Sequence, residues 1–143
     1  MSKKPSAADI QKQIDQLLYL LELYEAQAKT LNDQLRLIEL QLTEFKSAKE
    51  LLDSLPNISL DKEVLFPIGG GVYIKGKVAD SETVLLDVGA DVLSESTVKD
   101  AAEIAAKSIN DLTDAKSKIE ASLTETIKKS NEIRAILERL APR

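Results

Sequence analysis

The chain has 143 residues, 43% apolar and 30% charged, but only three Tyr, two Phe and no Trp, so Leu, Ile, Val and Ala must supply nearly all the burial. The absence of Cys excludes disulfides, thiolate metal sites and cysteine catalysis, and the absence of His removes the common imidazole base and ligand. Nineteen Lys and Arg against 24 Asp and Glu give a formal charge of −5, without the basic footprint of a nucleic-acid binder, and this Ala-, Leu-, Glu- and Lys-rich composition predicts long helices packed along narrow seams.

Met1-Ser2-Lys3-Lys4-Pro5 leads into polar sequence rather than the apolar run of a signal peptide, and no stretch approaches the ~20 apolar residues that span a bilayer. A cytoplasmic protein without membrane contact is the expectation. Ser6 and Asp9 make a capping box ahead of the first helix. From there apolar residues recur at steps of four and three: Ile10, Ile14, Leu17, Leu21, Tyr24, Ala28, Leu31, Leu35, Ile38, Leu42, Phe45 and Leu52, broken only by Lys49. Such spacing predicts a heptad seam, ended by Leu55-Pro56-Asn57 because Pro cannot continue a helix.

One stretch of this helix exceeds what a seam needs. In Leu17-Leu18-Tyr19-Leu20-Leu21-Glu22-Leu23-Tyr24, Leu21 takes position a and Leu17 and Tyr24 take d; Leu18 and Leu20 flank them, while Tyr19 and Leu23 fall at the outward f and c positions. A two-stranded hairpin cannot cover all of these side chains. Either another helix buries the extra face or it is an exposed apolar grip.

Residues 56–96 change period and hold all five glycines. Val64-Leu65-Phe66 and Val72-Tyr73-Ile74 flank Pro67-Ile68-Gly69-Gly70-Gly71, and Val84-Leu85-Leu86-Asp87-Val88 and Val92-Leu93 flank Gly89-Ala90-Asp91, which predicts two β-hairpins. The triple glycine lacks the Lys and Ser or Thr of a phosphate loop and runs into a strand, so it is expected to be a turn. Isolated hairpins are marginal in water, so pairing with the same region of other subunits is expected.

The last third carries a second seam: Ala102, Ala105, Ile109, Leu112, Lys116, Ile119, Leu123, Thr126, Ser130, Ile133, Leu137 and Leu140, capped by Thr97 and Asp100 and closed by Pro142. The seams match in length, about 60 to 65 Å each at ~1.5 Å per residue, as an antiparallel hairpin requires. Polar Thr126 and Ser130 fall opposite Tyr24 and Leu20, where the seam could splay or simply fix its register. Carboxylate pairs such as Asp111 and Asp114 read as a solvated helix face, so no enzyme and no cofactor or metal are expected. The fold class is α+β, mainly α: a long antiparallel coiled-coil hairpin with two β-hairpins in its linker, which are expected to pair between subunits. It divides into a helix over 6–55, a linker over 56–96 and a helix over 97–141, within a single domain.

Two equal helices with their termini together, the linker text from Val64 to Gly76 and the later Val84-Leu85-Leu86-Asp87-Val88-Gly89-Ala90-Asp91 make the chain resemble a prefoldin subunit of the α class over residues 6–141. Two linker hairpins are similar to the α class; β-class subunits have one. The resemblance implies an ATP-independent holdase, a hexamer of two α and four β subunits whose linker β-hairpins form an oligomeric β-barrel platform and whose coiled-coil tips capture non-native polypeptides and deliver them to a group II chaperonin. Ile10, Ile14, Leu17, Leu18, Tyr19, Leu20, Leu21, Leu23, Ile133, Ile136, Leu137 and Leu140 would then hold clients. Val64, Phe66, Ile68, Val72, Ile74, Val84, Leu86, Val88 and Val92 would build the platform, and Lys3, Lys4, Arg139 and Arg143 would be placed to meet an acidic chaperonin surface. The competing reading is a structural coiled-coil scaffold or a filament-forming prefoldin relative.

Overall fold

A computed structural model of the chain describes residues 4–141; Lys3, Pro142 and Arg143, which figure in the sequence reading, lie outside the described residues. In chain order the elements are helix α1 (Ala7–Ser54), a 3-10 turn (Leu55–Asn57), strands β1 (Val64–Gly69), β2 (Val72–Gly76), β3 (Thr83–Asp87) and β4 (Leu93–Thr97), and helix α2 (Val98–Leu140). The chain separates into two compact units: residues up to Leu40 with those from Thr113 onward, and Gln41–Leu112. The division falls within both helices rather than at the ends of the linker.

In the first unit two helical stretches run antiparallel. Glu25 pairs with Arg134 and Glu39 with Lys116, so residue numbers rise along α1 as they fall along α2. The Ser6 Oγ accepts the Asp9 N–H at 3.1 Å and the Asp9 Oδ2 accepts the Ser6 N–H at 3.3 Å, so the expected capping box satisfies two of the free donors at the start of α1. Every seam residue from Ile10 to Ile38 is half-buried. Opposite them lie Thr126, Ser130 and Ile133, all buried. The Thr126 hydroxyl donates to the Ser122 carbonyl at 2.8 Å, so this polar layer keeps its hydrogen bond inside its own helix and is closed.

In the second unit Leu42 is buried in the last third of α1, Leu55 in the 3-10 turn, and Val98, Ala101 and Ala105 at the start of α2. Lys49, the one break in the apolar seam, is half-buried and reaches Asp53 with its Nζ at 2.6 Å; its stem covers the seam while its charge stays outside.

The linker differs from the sequence reading in three places. Pro67 and Ile68, read as turn, belong to β1, which pairs antiparallel with β2 with a register shift between Pro67 and Gly69. An edge strand tolerates Pro because it needs no donor on its outer side, and the irregularity absorbs the extra residue. The turn shrinks to Gly70-Gly71, both at positive φ (59° and 76°), the geometry that two-residue hairpin loops demand. Val88 and Val92, read as strand ends, lie in the second turn, where the Val88 N–H donates to the Val92 carbonyl at 3.0 Å. The fourth strand therefore falls later, on Leu93-Ser94-Glu95-Ser96-Thr97, in register with Thr83–Asp87. Thr97 closes β4 and also caps α2, its Oγ1 accepting the Asp100 N–H at 3.1 Å, so sheet and helix join without a spacer. The Val98 N–H bonds the Glu82 carbonyl at 2.9 Å, tying that junction to the loop before β3.

Candidate functional site

Two apolar surfaces carry the features that a folded monomer leaves unexplained. The first lies on α1 in the first unit. Helical phase explains its grading: Leu20, beside the seam, is 38% exposed, Leu18 and Leu23 are 50% and 49%, and outward Tyr19 is 63%. A continuous apolar run cannot turn every side chain to one partner in a helix of 3.6 residues per turn. The other residues proposed for the same role are arranged differently: Ile10, Ile14, Leu17 and Leu21 are half-buried in the seam, Ile133 is buried, and Ile136, Leu137 and Leu140 are half-buried. The structure thus divides the proposed set into an open face and a closed seam.

Polar contacts beside this face hold the two helical stretches in register. Arg134 donates through Nη2 to Glu25 Oε1 at 2.7 Å and through Nη1 to Asn131 Oδ1 at 3.1 Å. The Lys129 ammonium lies 5.9 Å from the Tyr24 ring centroid, within cation–π range. These groups are largely exposed and contribute register more than stability.

The second surface is the linker. Each sheet has only two strands among the described residues, β1 with β2 and β3 with β4, so outer strand edges keep unpaired backbone donors and acceptors. Of the residues proposed for assembly, Phe66, Ile68, Val72, Ile74, Val88 and Val92 are exposed, and Val64, Val84 and Leu86 are half-buried. Leu65, Tyr73, Leu85 and Leu93 are as exposed as these, although the sequence reading left them off the assembly set. Their signal is the unbroken apolar run, as in Val84-Leu85-Leu86, which reads as a strand with both faces to be covered. The end of α1 and the two hairpins also line an apolar hollow of about 450 Å³, bounded by Leu51, Leu55, Val64, Phe66, Pro67 and Val84.

Neither surface gathers chemistry. Asp111 and Asp114 are exposed, and no group of three or more Asp or Glu is placed to hold a metal ion among the described residues. The Asp80 carboxyl is held below its ordinary value, first by the Thr83 hydroxyl and then by the Glu82 N–H. Both bonds shape the exposed loop before β3, as Asp side chains commonly do in turns. No helix among the described residues is long and apolar enough to cross a membrane.

Comparison with known proteins bears on what such surfaces do. The family model described as prefoldin subunit matches residues 24–143. The chain is 35% identical to the prefoldin subunit alpha of Methanococcus aeolicus over 127 residues, covering 89% of this chain and 86% of that one. It is 37% identical to the prefoldin subunit alpha of Methanoregula boonei over 128 residues, 90% of this chain and 83% of that one. Among solved structures it shares its fold with a chain of filamentous PFD from Methanocaldococcus jannaschii, with a TM-score of 0.65, 22% identity, and coverage of 80% and 95% respectively. Two long helices joined by two small antiparallel hairpins, and matches that run across most of the chain, lead to one assignment: this chain belongs to the prefoldin subunit family of chaperones.

Proposed function

We propose that this chain is an α-class subunit of a cytoplasmic, ATP-independent holdase. It joins β-class subunits through its linker, two α with four β, and its helical tips capture non-native polypeptides and pass them to a group II chaperonin. The observation that carries the reading is the open face of α1, where Leu18, Tyr19, Leu20 and Leu23 are exposed beside a seam that is already closed. Burying such a side chain gains ~1.5–3 kcal/mol, and ordering the client consumes much of that gain. Each apolar contact is therefore weak and does not depend on which apolar side chain makes it, which suits clients of varied sequence. Several tips bound to one chain add avidity without new chemistry. The unpaired edges and apolar faces of the linker hairpins support the assembly half of the reading, because adding strands satisfies backbone and side chains together.

The test is suppression of aggregation of a chemically denatured protein, without nucleotide, by the chain mixed with its β-class partner. Replacing Leu18, Leu20 and Leu23 by Ser is expected to abolish most of the protection while the mass of the assembly is unchanged. Full protection by that variant would place the client site elsewhere. A defined polymer that binds no denatured client would favour a scaffold.

A further inference from the structure

The open face of α1 is not uniformly apolar. Asp15, Leu18, Tyr19, Leu21, Glu22 and Glu25 line a shallow open groove of about 480 Å³ with no contribution from α2. Asp15, Leu18, Tyr19 and Glu22 stand at helical intervals of three, four and seven, so carboxylates flank the apolar pair on one face. Glu25 is engaged by Arg134 and Asp15 accepts a neutral hydrogen bond from Gln11 at 2.9 Å. Among the described residues, no Lys or Arg forms an ion pair with Asp15 or Glu22. Between Ala7 and Ala28 the helix carries Asp9, Asp15, Glu22 and Glu25 against Lys12 alone. On α1 the open face is thus a stretch of apolar side chains set in net negative charge.

We infer that this groove discriminates among non-native chains by charge: it takes apolar segments bearing Lys or Arg and disfavours those flanked by Asp or Glu. The inference rests on the holdase reading and adds a substrate class to it. Client Leu or Ile side chains pack on Leu18 and Tyr19, which places a neighbouring ammonium or guanidinium against Asp15 or Glu22. Excluding water from the apolar contact lowers the local dielectric and strengthens that attraction. The exposed Tyr19 ring offers the same cation a second partner through its face. An acidic flank meets two like charges instead, so the rejection is as much part of the selectivity as the attraction.

The test uses the full chain assembled with its β-class partner and two fluorescein-labelled 14-residue peptides. Both carry Leu at the same positions; one has Lys at the intervening positions and the other Glu. Anisotropy in low salt is expected to show the Lys peptide binding about tenfold more tightly, with the gap narrowing as salt rises and screens the charges. The isosteric D15N/E22Q variant is expected to weaken the Lys peptide about three- to tenfold, and D15K/E22K to invert the preference. D111N/D114N makes the same change in net charge at exposed positions that do not line the groove and is expected to leave the gap intact. Equal binding of both peptides, or equal effects of D15N/E22Q and D111N/D114N, would overturn the charge selection and leave the holdase standing. Failure of both peptides to bind would overturn both.

Discussion

The two units use the same aliphatic residues to opposite ends. In the first, helical period sends one stripe of Leu and Ile into a seam and leaves a short face over; in the second, strands of period two carry apolar residues on both faces of two-stranded sheets, most of them exposed among the described residues. The contrast shows where each unit can meet another molecule. A helix with a closed seam offers side chains alone, whereas a hairpin with bare edges offers backbone as well, which fixes geometry and favours a defined partner. Permanent assembly is therefore expected of the linker, and transient, sequence-tolerant contact of the helix face.

The largest expected effect comes from breaking the linker. Putting Asp at both Ile74 and Leu85 would bury unpaired charge in any assembly built on these faces, at a cost of several kcal/mol. Light scattering is expected to show dissociation to single chains while circular dichroism keeps its helical signal; a retained assembly would remove these faces from the interface. Next comes the seam against the open face. Ile133, buried at 6% exposure, is expected to cost ~2–4 kcal/mol when changed to Ala, whereas Leu23→Ala is expected to stay within about 0.5 kcal/mol. Thermal melting of the two variants checks the difference, and similar losses would mean that Leu23 is covered in solution.

A smaller effect is expected at Gly76. A Cβ there would lie 2.9 Å from Phe66 Cε2 and 3.2 Å from Cδ2, so Gly76→Ala forces the ring off its place across the β1–β2 pair at roughly 1 kcal/mol. Phe66 ring chemical shifts report the displacement, and unchanged shifts would show that the ring is not seated on Gly76. The smallest effect is one of pH. Because the Asp80 carboxyl is held below its ordinary value of 3.8 by Thr83 and Glu82, its turn is supported at higher pH and loses that support as pH falls through the lowered value. Amide protection at Glu82 and Thr83, measured against the intrinsic exchange rate at each pH, is expected to fall in acid, and Asp80→Asn to lower it already at neutral pH; protection indifferent to both would show that the carboxylate does not hold the loop.

Much of this was legible in the chain itself. Every α1 residue assigned to the seam is half-buried or buried, because a repeat of four and three is a statement about one helix face and needs no knowledge of its partner. Even Lys49 obeys the repeat, with a stem long enough to keep its charge outside. β4 was legible only at its first residue, Leu93: Ser94-Glu95-Ser96-Thr97 has no apolar alternation, and its only reason to be extended is the ladder it makes with β3. Pro67 misled for the converse reason, since a turn-forming residue is also at home in a strand whose outer edge is free. The open apolar face of α1 was legible as an excess of apolar residues over the seam, and its acidic flank only once helical phase brought Asp15 and Glu22 beside Leu18 and Tyr19.

By itself the sequence determined the helices, their seams, the caps at Ser6 and Thr97 and the glycine turn, because these follow from local periodicity and from which side chains can satisfy nearby backbone groups. Only the tertiary structure decided that the Thr126–Ser130 layer is closed, that Ile133 is buried while Leu23 is not, and that β4 runs straight into α2. Burial and strand pairing depend on what the rest of the chain brings opposite a residue, and no local pattern encodes that.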